Sequence, residues 1–327
     1  MSEEETLKAR LPALALERLQ SLKLKDGVAT LILDASGLDM LARDRMEVAV
    51  KDTLRDAEGV SEVRVAMTAE RSTAQAAAPP ARRIVAIGSG KGGVGKSTLT
   101  ANLAVALKRA GRKVGIVDAD IYGPSQPTLL DTKDERPRAE NNKLIPVPTP
   151  SGIPVLSMGY LVEPGRAIAW RGPMAGNALG QLIEAEWGDV EVLLVDLPPG
   201  TGDVQLTMLQ RFKPAGAIII STPQDLALID ATRAMQFFET GGIPIVGIVE
   251  NMAGYACPHC GEISDPFGLG GAEHVAHEKD IPFLGRVPLT MAIRSASDEG
   301  HPPAAGDGPE AEAFAGIAAR LAEWLDR

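Results

Sequence analysis

After residue 83 the chain carries short apolar runs that show no polar alternation. The runs are IVAIG (84–88), VGIVD (114–118), VLLVD (192–196), AIIIS (217–221) and IVGIV (245–249), and helical stretches separate several of them. A strand without polar positions is typical of a sheet that is buried on both faces. Strands that alternate with helices form mostly parallel sheets. We therefore predict an α/β fold, with a mostly parallel sheet covered by helices on both faces.

The first 70 residues follow a different pattern. Helical apolar spacing over 7–22, interrupted early by Pro12, is followed by SLKLKDGVATLILD, a predicted hairpin that turns at Asp26-Gly27. A helical face at 46–57 and the alternating strand SEVRVAM complete an α-β-β-α-β order. We predict a small α+β domain over 1–70, a linker rich in Ala and Pro over 71–83, and a larger domain over 84–327. The larger domain is expected to contain a polar surface excursion at 131–152 and a final helix at about 309–326.

Composition excludes several classes of protein. The 327 residues include 33 Lys and Arg against 43 Asp and Glu, so the net charge is −10. An acidic balance argues against nucleic acid or an anionic membrane as a partner. No apolar run reaches the length of a membrane span, and MSEEETLKAR lacks the apolar core of a signal peptide. We expect a cytoplasmic protein, since two cysteines make no disulfide framework.

The segment IVAIGSGKGGVGKST contains a phosphate-binding loop. Gly90, Gly95, Lys96 and Ser97 match G-x-x-x-x-G-K-[ST] between a buried strand and a helix. Glycines let backbone N–H groups face phosphate oxygens, and the helix directs its positive end at the same anion. Lys96 is predicted to contact the outer phosphates and Ser97 to donate a hydroxyl oxygen to Mg²⁺. The predicted nucleotide contacts in the loop are Gly90, Gly92, Gly93, Val94, Gly95, Lys96, Ser97 and Thr98.

Polar residues end several of the apolar strands. Asp118 and Asp120 follow one strand and Asp196 ends another, at the sheet edge where α/β proteins bind ligands. A carboxylate placed there beside a phosphate loop is expected to meet Mg²⁺, directly or through water. For Asp118 a structural role as a hydrogen-bond acceptor is an equal alternative. Asn251 suits the edge of an adenine, or it satisfies its own turn.

Two further features have alternative interpretations. Lys91 is either a solvated lysine or a residue that reaches the nucleotide of a second subunit. CPHCG (257–261) places Cys257 and Cys260 in a metal knuckle, and two thiolates are too few for an iron–sulfur cluster or a tetrahedral zinc ion. Either a two-fold dimer supplies four thiolates to one [4Fe–4S] cluster, or the chain adds its own His274 and His277 to bind zinc.

The loop GKGGVGKST resembles the deviant Walker A loop of the MinD, ParA and nitrogenase iron protein class of ATPases. Over about 84–303 the chain resembles the Mrp/ApbC family of iron–sulfur cluster carrier proteins. Further motifs carry this resemblance: VDADIYGPS (117–125), WRGPM (170–174), DLPPGTGDVQLT (196–207), STPQDLALID (221–230), GIVENM (247–252), CPHCG (257–261) and FLGRVPLTMAIRSASDEGHP (283–302). Gln126 and Asp131 depart from the more apolar, glycine-containing continuation typical of the family.

The resemblance implies residue roles in an ATPase that uses ATP and Mg²⁺. It implies that Lys91, Lys96 and Asp120 are catalytic, with Asp120 orienting the attacking water. Asp196 would be the Walker B acid at Mg²⁺, PPGTGD (198–203) the second switch loop, and Asn251 a contact to the base. It also favours the shared [4Fe–4S] cluster at Cys257 and Cys260 over the zinc site.

The implied function is an ATP-dependent iron–sulfur cluster carrier that acts as a homodimer. Its partners would be cluster scaffold proteins and apo iron–sulfur proteins. The alternatives are a positioning ATPase of the MinD and ParA kind, an electron donor like the nitrogenase iron protein, and an ATPase with a structural zinc knuckle. Membrane-directed positioning ATPases end in a basic amphipathic helix, whereas the polar residues of the last helix here are mostly acidic.

Overall fold

The computed structural model describes residues 3–25, 27–35, 40–55, 57, 59–68, 82–161 and 172–327. The chain divides into two units, Met1–Ala78 and Pro79–Arg327. Parts of three sequence predictions lie outside the described residues, namely the turn residue Asp26, the linker up to residue 81 and the start of the WRGPM motif.

The first unit contains a three-stranded sheet. Its elements are α1 (Glu3–Lys8), α2 (Ala13–Glu17), β1 (Leu19–Lys25), β2 (Val28–Asp34), α3 (Met40–Arg55) and β3 (Glu62–Thr68). The central strand β2 is antiparallel to β1 and parallel to β3. Alternate residues of β2, namely Ala29, Leu31 and Leu33, are fully buried together with Val50 and Leu54 of α3. This unit therefore has its own apolar core.

The helix predicted over 7–22 is wrong in its extent. Two short helices occupy its first part, and β1 begins at Leu19, so the order is α-α-β-β-α-β. Pro12 precedes α2 and has no N–H group to continue a helix, which separates α1 from α2. Leu22 is buried within the sheet, because pairing with β2 outweighs the local helical spacing.

The second unit is built on a large, mostly parallel sheet. The strands of this unit are β4 (Arg83–Ser89), β5 (Val114–Asp118), β6 (Arg138–Glu140), β7 (Lys143–Ile145), β8 (Val147–Pro148), β9 (Pro154–Ser157), β10 (Val192–Asp196), β11 (Gly216–Ser221), β12 (Ile245–Ala256), β13 (Ile263–Ser264) and β14 (Phe283–Leu289). All of them belong to the large sheet except β6 and β7, which pair only with each other. The order across the sheet is β13-β12-β11-β4-β10-β5-β9-β8, and β14 pairs with β12. β13 and β8 run antiparallel to their neighbours, and the other pairs are parallel. The predicted fold class is confirmed.

Helices cover both faces of this sheet. They are α4 (Lys96–Arg109), α5 (Gln126–Leu129), α6 (Gly172–Ile183), α7 (Asp203–Thr207), α8 (Asp225–Thr240), α9 (Gly271–Glu278), α10 (Met291–Asp298) and α11 (Pro309–Leu325). Val85 and Ile87 of β4 belong to the apolar core that contains α4 and α11, whereas Ala86 between them belongs to the core with α6 and α8. Both faces of β4 are therefore buried, as its unbroken apolar sequence predicts.

The predicted surface excursion at 131–152 is only partly correct. It contains the β6–β7 hairpin and then β8, which pairs with β9 and extends the sheet. Val147 and Thr149 are buried there. A strand of two residues at the edge of a sheet leaves no periodicity for sequence reasoning to detect. Within the described residues, no helix combines the length and apolar character that a membrane crossing requires.

Candidate nucleotide and metal site

The phosphate loop lies between β4 and α4, at the carboxyl edge of the parallel strands. Gly93 and Gly95 have φ angles of 77° and 84°, a backbone region that glycine enters at little cost. Gly95 directly precedes the first residue of α4. The loop therefore leads directly into the positive end of a helix of 14 residues, which is the arrangement that an anion site requires.

Close packing also limits two glycines of the loop, Gly90 against a backbone and Gly95 against the end of a side chain. A Cβ atom on Gly90 would lie 2.1 Å from the backbone carbonyl carbon of Asp230 in α8. A Cβ atom on Gly95 would lie 2.1 Å from Nδ2 of Asn251. Gly92 differs, since the nearest atom to its added Cβ is a Pro199 carbon at 3.9 Å. Gly90 and Gly95 thus set the position of the loop against its neighbours.

Lys96 forms a buried ion pair with Asp196. The Lys96 ammonium donates to Oδ1 of Asp196 and lies 3.8 Å from Oδ2 of Asp120. Lys96 is 7% exposed and Asp196 is fully buried. Asp120 also accepts hydrogen bonds from the backbone N–H groups of Tyr122 and Gly123, which fixes its position after β5. The three predicted residues Lys96, Asp120 and Asp196 are therefore brought together.

Asp118 acts as a hydrogen-bond acceptor beneath this cluster. It pairs in register with Asp196 on the neighbouring strand and accepts hydrogen bonds from the Ser157 hydroxyl and the Gln126 backbone N–H, each at 3.0 Å. Burial, followed by the nearby Asp196 carboxylate, raises the pKa of Asp118 to about 7. The structural interpretation of Asp118, which the sequence left open, accounts for all of these contacts.

The oxygen ligands at this edge suit Mg²⁺. Ser97 lines the same cavity as Lys96 and Asp120, and Asp196 is buried at the Lys96 ammonium. Hydroxyl and carboxylate oxygens are the ligands that a small hard cation prefers. The residues therefore fit a magnesium ion, provided that Lys96 moves away from Asp196 when the ion approaches.

Two adjoining cavities flank the loop. One of about 460 Å³ is lined by residues 91–98, Asp120 and Pro199. The other, of about 470 Å³, is lined by Asn251, Tyr255 and the start of α10. Both are lined by Gly95 and Thr98, so one elongated ligand with an anionic end could occupy the two together. Asn251 donates from Nδ2 to the Val94 carbonyl at 2.8 Å and holds the phosphate loop in place.

Lys91 lies at the front of the loop. Its ammonium donates to Oε1 of Gln224 at 3.3 Å, and its backbone carbonyl accepts the Ser89 hydroxyl. The side chain is half-buried rather than freely solvated. The Gln205 side chain donates to the carbonyls of Pro198, Pro199 and Gly200, in the segment that follows β10.

The cysteine knuckle (residues 257–261) forms the turn between β12 and β13. The Cys257 N–H donates to the Glu262 carbonyl, and the Gly261 N–H donates to the Cys257 carbonyl at 2.8 Å. Hydrogen bonds from the backbone N–H of His259, and then of Cys260, hold the pKa of the Cys257 thiol below its usual value. Both thiols are free and accessible, as metal binding requires.

The zinc site within one chain is not formed. His274 is exposed on α9 and pairs with Glu278 at 3.2 Å, and His277 is exposed on the same helix. Among the described residues, no three His, Cys, Asp or Glu side chains cluster closely enough to hold a metal ion. The structure does not bring His274 and His277 to the cysteines, and the knuckle offers two thiolates with no third ligand from the described part of the chain.

Sequence reasoning missed the buried Glu250. Its carboxylate accepts the backbone N–H groups of Gly270 and Ala272 and the Nε–H of Arg286, so it joins β12 to the start of α9 and to β14. Glu250 ends an apolar run at the ligand edge of the sheet, which is the signal that singled out Asp118 and Asp196. Its contacts are structural and stabilise the strand that leads to the knuckle.

Comparisons with known proteins identify the family of the chain. The family model described as ParA, NUBPL iron-transfer P-loop NTPase, covers residues 80–322. The chain belongs to this family. The resemblance inferred from the phosphate loop is thereby confirmed, and the second unit of the chain is a P-loop NTPase domain.

Individual relatives agree with the family assignment. The chain is 42% identical over 265 residues to an iron-sulfur cluster carrier protein of Haemophilus influenzae, covering 79% of this chain and 72% of that protein. A nucleotide-binding protein of Archaeoglobus fulgidus, solved in complex with ADP, is 40% identical with a TM-score of 0.60 over 67% of this chain and 87% of that one. The cell division ATPase MinD of Pyrococcus furiosus shares the fold at 25% identity, with a TM-score of 0.57 over 74% of this chain and 99% of that one.

Proposed function

We propose that this protein is an ATP-dependent iron–sulfur cluster carrier that works as a homodimer. The observation that carries the proposal is the position of the cysteine knuckle. Cys257 follows the carboxyl end of β12 and the phosphate loop follows the carboxyl end of β4, so both lie at one edge of a single sheet. The Haemophilus influenzae relative, which bears the name of an iron-sulfur cluster carrier, supports the same function.

We propose a homodimer because each chain offers only two thiolates to the cluster. A [4Fe–4S] cluster takes four thiolates, and a two-fold axis beside the knuckle supplies Cys257 and Cys260 from each subunit. The knuckle edge also exposes large apolar side chains on the segments that follow β5, β10, β11 and β14, namely Tyr122, Leu206, Leu226, Ile229 and Met291. Exposed apolar residues gathered at one edge favour an interface there.

The proposed ATP site is supported by the geometry of the loop. Backbone N–H groups and the start of α4 bind the phosphates, Lys96 leaves Asp196 to contact the outer phosphate, and Asp120 orients the attacking water. Ser97 and Asp196 would hold Mg²⁺, which neutralises phosphate charge. Asn251 faces the second cavity, where the base would lie. Lys91 would act on the nucleotide of the partner subunit.

A single strand links the two centres and supports gating of the cluster by ATP. β12 carries Asn251 at the phosphate loop and Tyr255 at the second cavity, and Cys257 follows its last residue. Between them, Met252 and Gly254 have φ angles of 59° and 75°, and the pairing with β14 is irregular over the same residues. A shift of Asn251 on nucleotide binding would therefore be transmitted to the knuckle through the five residues that separate Asn251 from Cys257.

Cluster transfer tests the function directly. We expect the protein reconstituted with iron and sulfide to pass its cluster to an apo iron–sulfur protein, and Mg²⁺ with ATP to change the transfer rate. The measurement is activation of the recipient over time, with and without nucleotide and with a chelator that captures free iron. Recovery that proceeds only through chelatable iron would show that the protein stores iron but does not carry clusters.

Subunit mixing tests the proposed role of Lys91. Lys91→Ala and Asp120→Asn should each abolish ATP hydrolysis as pure dimers. A one-to-one mixture should recover about one quarter of the wild-type sites, because half of the dimers are mixed and one site of each has both residues. The measurement is ATP turnover of the pure variants and of the mixture. No recovery in a mixture shown to exchange subunits would place Lys91 in its own subunit's site.

A further inference from the structure

Gln126 connects three parts of the nucleotide site. Its side chain is fully buried at the start of α5. Nε2 donates to the Ser97 carbonyl at 3.0 Å and to Oδ2 of Asp196 at 2.9 Å, while the backbone N–H donates to Asp118 at 3.0 Å. One residue thus ties the segment after β5 to the phosphate loop and to the end of β10.

The other end of the same amide has no hydrogen-bond partner among the residues that the structure describes. Oε1 of Gln126 is buried and accepts no hydrogen bond within the described part of the chain. A buried acceptor left unpaired destabilises a fold, and an apolar side chain of equal length would avoid that cost. Both amide hydrogens of Gln126 are donated to hydrogen bonds, whereas the oxygen accepts none from the described residues. The side chain therefore contributes to the site through its two donated hydrogen bonds.

One of these hydrogen bonds matters most when Lys96 moves. In this structure the Asp196 carboxylate is held at Oδ1 by Lys96 and at Oδ2 by Gln126. If Lys96 turns to a phosphate, Gln126 is the donor that keeps the carboxylate in place. Its amide cannot follow the carboxylate, because the second N–H is bound to the Ser97 carbonyl of the phosphate loop. Oδ1 therefore stays directed at the position that Lys96 has left.

We propose that Gln126 is a positioning residue for Mg²⁺, which holds Asp196 with one oxygen directed at the cation site while Lys96 binds phosphate. This inference rests on the proposed ATP site and goes beyond it, since it assigns a role to a residue outside the phosphate loop and the strand-ending carboxylates. A hydrogen bond to a metal-binding carboxylate orients that ligand and raises metal affinity.

The test compares metal affinity with nucleotide affinity. Gln126→Met and Gln126→Leu remove the amide, and the backbone hydrogen bond to Asp118 remains available in both. We expect Mn²⁺ to bind the ADP complex about tenfold more weakly in each variant, as measured by the loss of free Mn²⁺ signal in electron paramagnetic resonance. The affinity for ADP without metal should stay within about twofold, because Gln126 makes no contact with the phosphate-binding N–H groups.

Gln205→Met is the matched control. Gln205 is also a buried glutamine beside the loop, but its side chain donates to backbone carbonyls alone. Its variant should keep wild-type Mn²⁺ affinity. Unchanged Mn²⁺ affinity in folded Gln126 variants, or an equal loss in Gln205→Met, would overturn the inference and leave the proposed function standing. A wild-type protein that binds no ADP would overturn the ATP site as well.

Discussion

Cys257→Ala is expected to abolish cluster binding completely. With one thiolate per subunit, a dimer offers two ligands where a [4Fe–4S] cluster takes four, and the described part of the chain supplies no substitute. We expect wild-type protein, reconstituted anaerobically with iron and sulfide, to contain one four-iron cluster per dimer. The measurements are iron and sulfide content, the visible absorption of the cluster, and the molecular mass in solution.

The histidines provide the matched control for this experiment. A double variant that combines His274→Ala with His277→Ala should bind the cluster as the wild type does, since both side chains are exposed on α9. A colourless wild type that holds one zinc ion per chain and loses it in the double variant would contradict the shared cluster. The knuckle would then be structural, and the protein would be a switch ATPase of unknown cargo.

Lys96→Met is expected to lower both stability and turnover. The substitution leaves the fully buried Asp196 carboxylate without its ammonium partner, so the free energy of unfolding should fall by about 3 kcal/mol. ATP turnover should fall about 100-fold or more, because the charge that develops on the transferred phosphate loses its nearest cation. Urea unfolding and single-turnover hydrolysis measure the two effects.

Lys108→Met separates these effects from the general loss of a lysine on the same helix. Lys108 is near the end of α4, and its ammonium donates to the exposed backbone carbonyls of Ser151 and Gly152. We expect the free energy of unfolding of the Lys108→Met variant to change by less than about 1 kcal/mol, and its ATP turnover to stay at the wild-type level. If Lys96→Met kept wild-type stability, the ion pair with Asp196 would not form in solution.

Most of the larger domain could be predicted from the sequence. The apolar runs ending at Asp118 and Asp196 form strands with the predicted bounds, because a strand that is buried on both faces has apolar residues at each position before its end. The last helix, predicted over about 309–326, spans Pro309–Leu325 for a similar reason, since its apolar face packs continuously on the sheet. The phosphate loop could be located because its glycines and Lys96 are required by local backbone geometry.

Other features could not be predicted because their contacts join distant residues. The segment around Leu19 has helical spacing but forms a strand, since a partner strand supplies its hydrogen bonds. Gln126 in the sequence was only a departure from a family pattern, and its contacts with Ser97 and Asp196 span 29 and 70 positions. No periodicity records a contact of that kind.

The phosphate loop, the strand-ending carboxylates and the cysteine pair are local patterns, so residue type and spacing alone determined them, together with the fold class and the family. The tertiary structure decided how these patterns combine. It brought Asp196 into contact with Lys96 and Gln126 and gave Asp118 a structural role. It paired His274 with Glu278 and, among the described residues, formed no ligand cluster with the cysteines. The physical reason is that buried charges and amides choose partners by proximity in the folded chain, and the packing of parallel strands sets that proximity.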